Sequence, residues 1–289
     1  LFDRIGKGVR TAARDAILSA ESPEGKKATV FSFHRAFDTI GATLGPTFAL
    51  IYLWWKPNDY KGLIWFAFIP VLVAVFFTFI PKEKTIEPLE KQTPGFFTYL
   101  KYWNSATVSF KTIVIRFLVF GLINSSDVFL LLILKAKGFS DTTMIGFYIF
   151  YNLVYALASV PAGRIADAIG MEKILFIGLL LFGIVYEAIT VTGNFYMLTG
   201  LLFIYGLYAA CFESTSKAIL TGHIKKEDAA TALGFYSSLS SIASLIASTW
   251  TGIIWHIFNP QYALMFSGVV AIALAFSFLK APRSKSFQI

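Results

Sequence analysis

The sequence predicts an all-α polytopic membrane protein. Of its 289 residues, 56% are hydrophobic and only 15% are charged, and the mean hydropathy is +0.65, whereas soluble domains carry about 25% charged residues. Apolar runs of roughly 17–25 residues, each long enough to cross a bilayer as a helix, recur along the chain. A transmembrane β-barrel would instead show segments of about 10 residues with strict alternation. We count eight spans, at residues 28–55, 62–80, 113–134, 143–162, 174–191, 195–216, 229–255 and 262–279.

The basic residues are concentrated in alternate loops. One set of loops, which includes the C-terminal tail, holds 15 Lys and Arg, whereas the other set holds 4. By the positive-inside rule the first set is cytoplasmic. The net charge of +8 therefore reflects membrane topology, and we expect no nucleic-acid partner. We expect a multi-pass protein of the cytoplasmic (inner) membrane, embedded in the lipid bilayer, with a cytoplasmic C-terminus.

The sequence repeats itself at an offset of 202 residues. DAILSAESPEGKKATVFSFH, residues 15–34, aligns with KAILTGHIKKEDAATALGFY, residues 217–236, and the register continues without a gap to Tyr60 and Tyr262. Parallel repeats of six spans are a known transporter architecture, in which the solute site lies near the midplane between the halves. The repeat therefore predicts a solute site between two related sets of helices.

The same register predicts that the first half begins before Leu1 and that the opening stretch LFDRIGKGVRTAARDA is the end of a span. Its charged residues recur at i, i+4, i+7 and i+11 from Asp3, which places them on one helix face. They line a watery cavity or form the wet cytoplasmic end of the helix, because charge facing lipid is costly. A nucleotide P-loop is excluded, because no hydroxyl residue follows Lys7. The solute-cavity candidates in this stretch are Asp3, Arg4, Lys7 and Arg10.

The third run is interrupted near its middle by NSSD, residues 124–127. A carboxylate in a low-dielectric interior takes up a proton more readily than one in water, and ionisable groups within spans mark ion and solute pathways. Asp127 is therefore a proton-coupling candidate and Asn124 a solute-cavity candidate. The alternative is that Asp127 caps a helix or is satisfied by a neighbouring helix.

Two further acidic residues lie within predicted spans. Glu213 is a second proton-coupling candidate, and Lys217, one turn later, is a cavity candidate; the alternative is that the two form an ion pair with each other. Glu187 lies close to the outer end of its span, where we expect it to snorkel at the surface.

Two other predicted spans contain polar residues at helical spacing. The stretch YIFYNLVY, residues 148–155, places Tyr151 and Asn152 on a polar aromatic stripe that forms a cavity wall or packs against a neighbouring span. Arg35 and Asp38 are spaced to pair with each other, and they lock their helix to the opening stretch or act in gating.

Three motifs resemble the major facilitator superfamily. GRIADAIGMEK, residues 163–173, is similar to the family's signature in the loop between two spans, and GATLGP, residues 41–46, resembles the motif of its proton-coupled exporters. The opening stretch looks like a prokaryotic branch of unknown substrate. The matching conformational-switch residues are Gly163, Asp167, Gly170 and Lys173. The matching span-packing residues are Gly41, Gly45 and Pro46.

The resemblance implies a bundle of two six-span halves, of which this chain supplies the end of span 4 through span 12. Residues 1–80 then end the N-terminal half, 81–112 form a cytoplasmic linker, and 113–289 form the C-terminal half with its tail. Large apolar residues in the second half of the linker, with lysines nearby, predict a helix in the inner membrane interface. They are Phe96, Phe97, Leu100 and Trp103.

The resemblance also implies secondary active transport of a small solute by alternating access. Proton-coupled export is favoured by GATLGP, whereas the basic opening stretch favours proton-coupled uptake of an anionic solute. A transporter-fold sensor without transport activity is a third alternative. We expect no enzymatic activity, cofactor or metal, because neither a nucleophile–His–acid set nor ligand spacing is visible around the single cysteine and three histidines. We expect a monomer that works with a proton or another coupling ion.

Overall fold

A computed structural model describes residues 11, 13–77, 79, 98–224 and 228–279, and the regular structure in them is α-helical. A short helix, α1, covers residues 13–20. The helices that follow are α2 (Lys27–Trp55), α3 (Tyr60–Phe77), α4 (Thr98–Ser105), α5 (Val108–Ile123), α6 (Asp127–Ala136), α7 (Asp141–Ile169), α8 (Met171–Val191), α9 (Phe195–Thr221), α10 (Ala229–Ile257) and α11 (Pro260–Leu279).

Eight spans within the described residues are long and apolar enough to cross a membrane, with α5 and α6 counted as one. The predicted number of spans is therefore confirmed. Several helices extend beyond their apolar runs: α7 reaches Ile169 and α9 reaches Thr221, past the expected ends at 162 and 216. Hydropathy identifies only the apolar residues of a helix that lie in the membrane, whereas backbone hydrogen bonding continues the helix beyond them into water.

Side-chain caps fix where several spans begin. Ser140 accepts a hydrogen bond from the backbone N–H of Thr143 at 3.2 Å, and Asn194 accepts from those of Tyr196 and Met197. Ser and Asn are preferred at this position, because they satisfy N–H groups that have no partner within the helix. Short polar segments thus end one span and start the next.

The spans pack closely where glycine allows helices to approach. A Cβ on Gly183 of α8 would lie 2.9 Å from the Gly268 carbonyl oxygen of α11, and a Cβ on Gly206 of α9 would lie 2.7 Å from the Tyr151 carbonyl oxygen of α7. Small residues at such contacts are typical of membrane helices, whose association depends on van der Waals packing. The core of α5–α11 is rich in aromatic side chains, among them Phe110, Phe120, Phe182 and Tyr186.

The helix positions agree with the internal repeat. Helices α2 and α10 contain 29 residues each, and their first residues, Lys27 and Ala229, are 202 positions apart. The linker prediction is partly covered by the structure: α4 lies against α10, where the Trp103 ring stacks on Phe235 at a centroid distance of 5.8 Å. The linker residues 81–97 lie outside the described residues.

Candidate functional site

The span made of α5 and α6 is broken at residues 124–126. Asn and Ser side chains compete with helical hydrogen bonding, and Ser126 caps α6 by accepting from the backbone N–H of Val128 at 3.4 Å. Asp127 is therefore the first residue of α6, where the positive end of the helix dipole favours a negative charge. The predicted interruption of this span is confirmed.

Two tyrosine hydroxyls donate hydrogen bonds to the Asp127 carboxylate. The Tyr151 hydroxyl lies 2.7 Å from Oδ2, and the Tyr205 hydroxyl lies 2.7 Å from Oδ1. Tyr151 belongs to α7 and Tyr205 to α9, and both side chains are buried. The carboxylate thus joins three spans and is satisfied by neighbouring helices. Its role in proton coupling stays a prediction.

A polar cavity of about 460 Å³ opens beside Asp127. It lies between α1 and α2 on one side and α6, α7 and α9 on the other. Residues singled out from the sequence line it from four segments: Arg35 and Asp38, Asn124 and Asp127, Tyr151 and Asn152, and Glu213 and Lys217. The structure therefore brings together polar residues from four separate segments of the chain.

The sequence interpretation missed two tyrosines of this cavity, Tyr205 and Tyr208 on α9. Both are buried, and Asn124 Nδ2 donates to the Tyr208 hydroxyl at 3.4 Å. The signal was present, because Tyr205, Ala209 and Glu213 recur every four residues, and positions i, i+4 and i+8 share one face of a helix. This polar face was missed because the span is rich in aromatic residues and is apolar over most of its length.

An ion pair connects α2 with α9 across the cavity. Arg35 Nη2 lies 3.3 Å from Glu213 Oε2, and Arg35 Nε donates a hydrogen bond to the Tyr155 hydroxyl. The expected pairing of Arg35 with Asp38 is therefore wrong, because the guanidinium extends across to α9. Asp38 instead lies 3.8 Å from Arg14.

A second ion pair joins two positions that the repeat makes equivalent. Lys217 Nζ lies 2.7 Å from Asp15 Oδ2, and Arg14 Nη2 lies 3.0 Å from Asp15 Oδ1. Asp15 is only 3% exposed. The alternative in which Lys217 pairs with Glu213 on its own helix is wrong, since each finds its partner on α1 or α2.

The stretch 163–173 forms a contact between α7 and the start of α2. Asp167 accepts hydrogen bonds from the backbone N–H groups of Ala28 (3.0 Å) and Thr29 (2.8 Å), and from the Thr29 hydroxyl (2.6 Å). A carboxylate at this position caps α2 and complements its dipole. Gly163 permits the approach, because a Cβ there would lie 2.0 Å from Ser32 Oγ.

The structure corrects the description of this stretch as a loop. Residues up to Ile169 belong to α7, α8 starts at Met171, and Gly170 alone separates them. Its φ of 109° lies in the left-handed region that favours glycine, so one residue suffices for the turn. Lys173 is exposed on the first turn of α8.

The predicted span-packing residues do not line the described part of this cavity. Gly41 and Gly45 are exposed on α2, within which Pro46 also lies, and no described atom comes within 4 Å of a Cβ built on either glycine. Their packing role stays a prediction. The four candidates of the opening stretch lie outside the described residues: Asp3, Arg4, Lys7 and Arg10.

Glu187 is partly exposed between α8 and α11, and its snorkelling at the surface stays a prediction. Its Oε1 atom is buried without a hydrogen-bond partner in the described structure, and it lies 2.7 Å from the Cβ position of Gly268 on α11. The missing side chain of Gly268 leaves room for the carboxyl group between α8 and α11.

Comparisons with known proteins agree with this fold. A sequence model of the Major Facilitator Superfamily matches residues 138–288. An uncharacterized MFS-type transporter of Methanocaldococcus jannaschii is 32% identical over 281 residues, which cover 94% of this chain and 68% of that protein. The crystal structure of the human organic anion transporter MFSD10 (TETRAN) superposes with a TM-score of 0.79 at 17% identity, covering 92% of this chain and 67% of that one.

Proposed function

This chain belongs to the major facilitator superfamily, a family of membrane transporters, and we propose that it is a secondary active transporter that moves a small solute by alternating access. The observation that carries the proposal is the polar cavity of about 460 Å³, which α1–α2 and α6–α9 enclose from opposite sides. Pockets of roughly 300–1,000 Å³ suit small solutes.

The ion pairs across the cavity support alternating access. Arg35–Glu213 and Asp15–Lys217 connect α1 and α2 with α9, and Asp167 ties α7 to the start of α2. Rocking of one set of helices against the other must break such contacts on one side of the site. They act as latches that hold one orientation until solute or ion binding releases them.

The coupling ion in this proposal is a proton, which Asp127 and Glu213 exchange. Asp127 is held by two neutral hydroxyls, so a proton changes its charge without removing a partner cation. Protonation of Glu213 would release Arg35 and thereby loosen one of the latches. The direction is export by an antiporter, in line with the motif at 41–46. The proposal places the protein in the inner membrane as a monomer with a cytoplasmic C-terminus and assigns it no enzymatic step.

A second candidate function is uptake of an anionic solute with protons. The human relative is named an organic anion transporter, and the opening stretch of this chain carries Lys7 and Arg10. In this alternative those basic residues hold the anionic group of the solute.

Proton movement in liposomes tests the proposal. The protein is reconstituted around a trapped pH-sensitive dye, and organic cations and anions are added outside in turn. We expect at least one solute to evoke proton movement. We expect Asp127→Asn, which preserves the shape of the side chain, to lower the rate of that movement at least about tenfold, because a positioned side chain that transfers a proton accelerates the transfer by that factor or more. Asp141→Asn is the matched control, since Asp141 is exposed and pairs with Lys135 outside the cavity.

Two results would count against the proposal. Solute movement that is unchanged in Asp127→Asn at every pH would remove Asp127 from coupling. Solute binding without movement of solute or protons would favour the sensor.

A further inference from the structure

We propose that the cavity binds an organic amine as its ammonium form, with the N–H groups held by Asp127 and Asn124 and the rest of the solute enclosed by tyrosine rings. The inference rests on the proposed transport function and names the solute class of the same cavity. Three independent features carry it: the balance of charge, an unsatisfied acceptor and the arrangement of the rings.

Among the residues that the structure describes, the charge balance leaves Asp127 without a cation. Among the described residues that line the cavity, each cationic side chain is within ion-pair distance of an acid: Arg14 of Asp15 and Asp38, Arg35 of Glu213, and Lys217 of Asp15. In the same part of the chain, Asp127 has the hydroxyls of Tyr151 and Tyr205 as its partners. A half-buried carboxylate without a counter-charge is costly, and a cationic solute offsets this cost.

Asn124 supplies an acceptor that lacks a donor. Its amide nitrogen donates to the Tyr208 hydroxyl, and its Oδ1 is buried with no hydrogen-bond partner in the described structure. Asn124 and Asp127 both line the cavity and flank the break between α5 and α6. Buried acceptors are almost always satisfied in native proteins. An ammonium group carries several N–H donors, so one head group has enough of them for the carboxylate and, once the Asn124 side chain turns toward the cavity, for the amide oxygen.

Four tyrosine rings stand next to these acceptors. The ring centroids of Tyr151 and Tyr205 are 5.3 Å apart, those of Tyr205 and Tyr208 are 5.2 Å apart, and those of Tyr148 and Tyr151 are 5.4 Å apart. Aromatic faces attract ammonium groups through their quadrupole, and Tyr148, the least buried of the four, offers ring surface to the carbon skeleton of the amine. This combination of one acid with several aromatic rings suits an amphipathic cation.

The geometry distinguishes the ammonium from other cations and from anions. A quaternary ammonium is attracted to the rings and to Asp127, but it has no N–H for Asn124 Oδ1. An anion of the same size would face the unpaired charge of Asp127. A proton and the amine would compete for the same carboxylate, which is the exchange that the proposed export requires.

Three probes that share a phenylethyl group test the inference on the unmodified protein in lipid nanodiscs. They are 2-phenylethylamine, its N,N,N-trimethyl analogue and 3-phenylpropionate, and calorimetry at pH 7 in sodium-free buffer gives their dissociation constants. We expect the amine to bind at least about tenfold more tightly than either of the others, since hydrogen bonds to charged groups are the stronger ones. Tighter binding of 3-phenylpropionate, or equal binding of the quaternary analogue, overturns the inference.

Two variants locate the site. Asp127→Asn weakens the binding of the amine at least about tenfold, and Asn124→Ala abolishes the preference for the amine over its quaternary analogue, because only the amine uses that oxygen. Asp141→Asn, at an exposed acid outside the cavity, leaves all three constants unchanged. Unchanged amine binding in Asp127→Asn overturns the inference, and the comparison of probes on the unmodified protein decides even if a variant does not fold.

A sodium titration tests whether an alkali cation, instead of an amine, is the positive charge that Asp127 binds. If sodium chloride alone gives a binding heat that Asp127→Asn removes, and the amine does not displace it, the site is an alkali-ion site and the inference is overturned. Solute-evoked proton movement by an anionic solute would likewise overturn the amine while leaving the proposed transport function intact.

Discussion

At the residue scale, the position of Asp127 explains why a carboxylate is stable inside a span. It begins a half-helix, whose dipole favours its charge, and two buried tyrosines on different helices donate to it. Both partners are uncharged hydroxyls, so the carboxylate is held by hydrogen bonds and by no ion pair among the described residues.

Removing one of these donors measures its contribution. Tyr205→Phe keeps the ring and deletes the hydroxyl that lies 2.7 Å from Asp127. We expect the free energy of unfolding to fall by about 2 kcal/mol, as for a hydrogen bond to a charged group, and a lower Tm in thermal unfolding. Tyr196→Phe, at a ring that is 82% exposed at the start of α9, is the control and leaves Tm unchanged. Equal Tm values for the two variants would contradict this account of Asp127.

A second acid, Asp59, lies between spans in the turn from α2 to α3. The Gly62 backbone N–H and the Tyr52 hydroxyl hold the pKa of Asp59 below its usual range. Because the folded-state pKa is the lower one, the stabilisation is present above the unfolded-state pKa and is lost as the pH falls through the folded-state pKa.

Asp59→Ala tests this sign. We expect it to lower Tm at pH 7 and to have a progressively smaller effect as the pH falls below about 4, the ordinary range of an aspartate. Thermal unfolding of both proteins across this pH range is the measurement. A difference in Tm that grows on acidification would show that the sign is wrong.

At the element scale, the contact between α2 and α7 is the one that the motif at 163–173 builds. Gly163 lets the helices approach, and Asp167 then reaches the first N–H groups of α2. The hydrogen bonds of Asp167 depend on the close approach at Gly163, because a wider spacing of the helices would take the carboxylate out of hydrogen-bonding range.

Gly163→Ala is therefore expected to separate α2 from α7. The new Cβ would lie 2.6 Å from Ser32 Cβ and 2.8 Å from the Ala28 carbonyl oxygen, contacts that a rotamer change cannot relieve. We expect a loss of about 1–3 kcal/mol in the free energy of unfolding, typical of overpacking. Gly146→Ala on the same helix has open space within 4 Å and is expected to be neutral or stabilising. Thermal unfolding of the two variants compares them, and a smaller loss for Gly163→Ala than for Gly146→Ala would refute the close contact.

At the scale of the whole molecule, the ion pairs between α1–α2 and α9 decide how the two sides of the cavity are held together. Asp15 and Lys217 occupy equivalent positions of the repeat and carry opposite charges, so they can meet where the related segments face each other. A buried pair of this kind loses stability when one partner is removed.

A double-mutant cycle on this pair measures the coupling. We expect Asp15→Asn and Lys217→Gln to be coupled by about 1–3 kcal/mol in the free energy of unfolding, as for residues in one network. The exposed pair Lys135–Asp141, at 3.0 Å, is the matched control and should give at most about 1 kcal/mol. Additive effects of Asp15→Asn and Lys217→Gln would mean that the pair does not hold the two sides together.

The sequence predicted the spans well because hydropathy over about 20 residues is a long-range average that tolerates local error. It also predicted the helix break, since NSSD is an unusual interruption in an apolar run. It could not predict that Arg35 pairs with Glu213, because pairing between helices depends on their rotation and depth. It placed a loop at 163–173, because a single Gly170 can turn the chain without the polar residues that normally mark a loop.

The central claim is that proton exchange at Asp127 and Glu213 shifts the protein between two orientations, and a distance measurement tests it most directly. Spin labels are attached through Glu24→Cys and Lys173→Cys, both at exposed positions near the contact of α2 with α7, with Cys211 replaced by Ser. We predict two distance populations whose proportions differ between pH 5.5 and 8, and proportions that no longer change with pH when Asp127→Asn and Glu213→Gln are combined. One distance that is the same at both pH values would contradict the account.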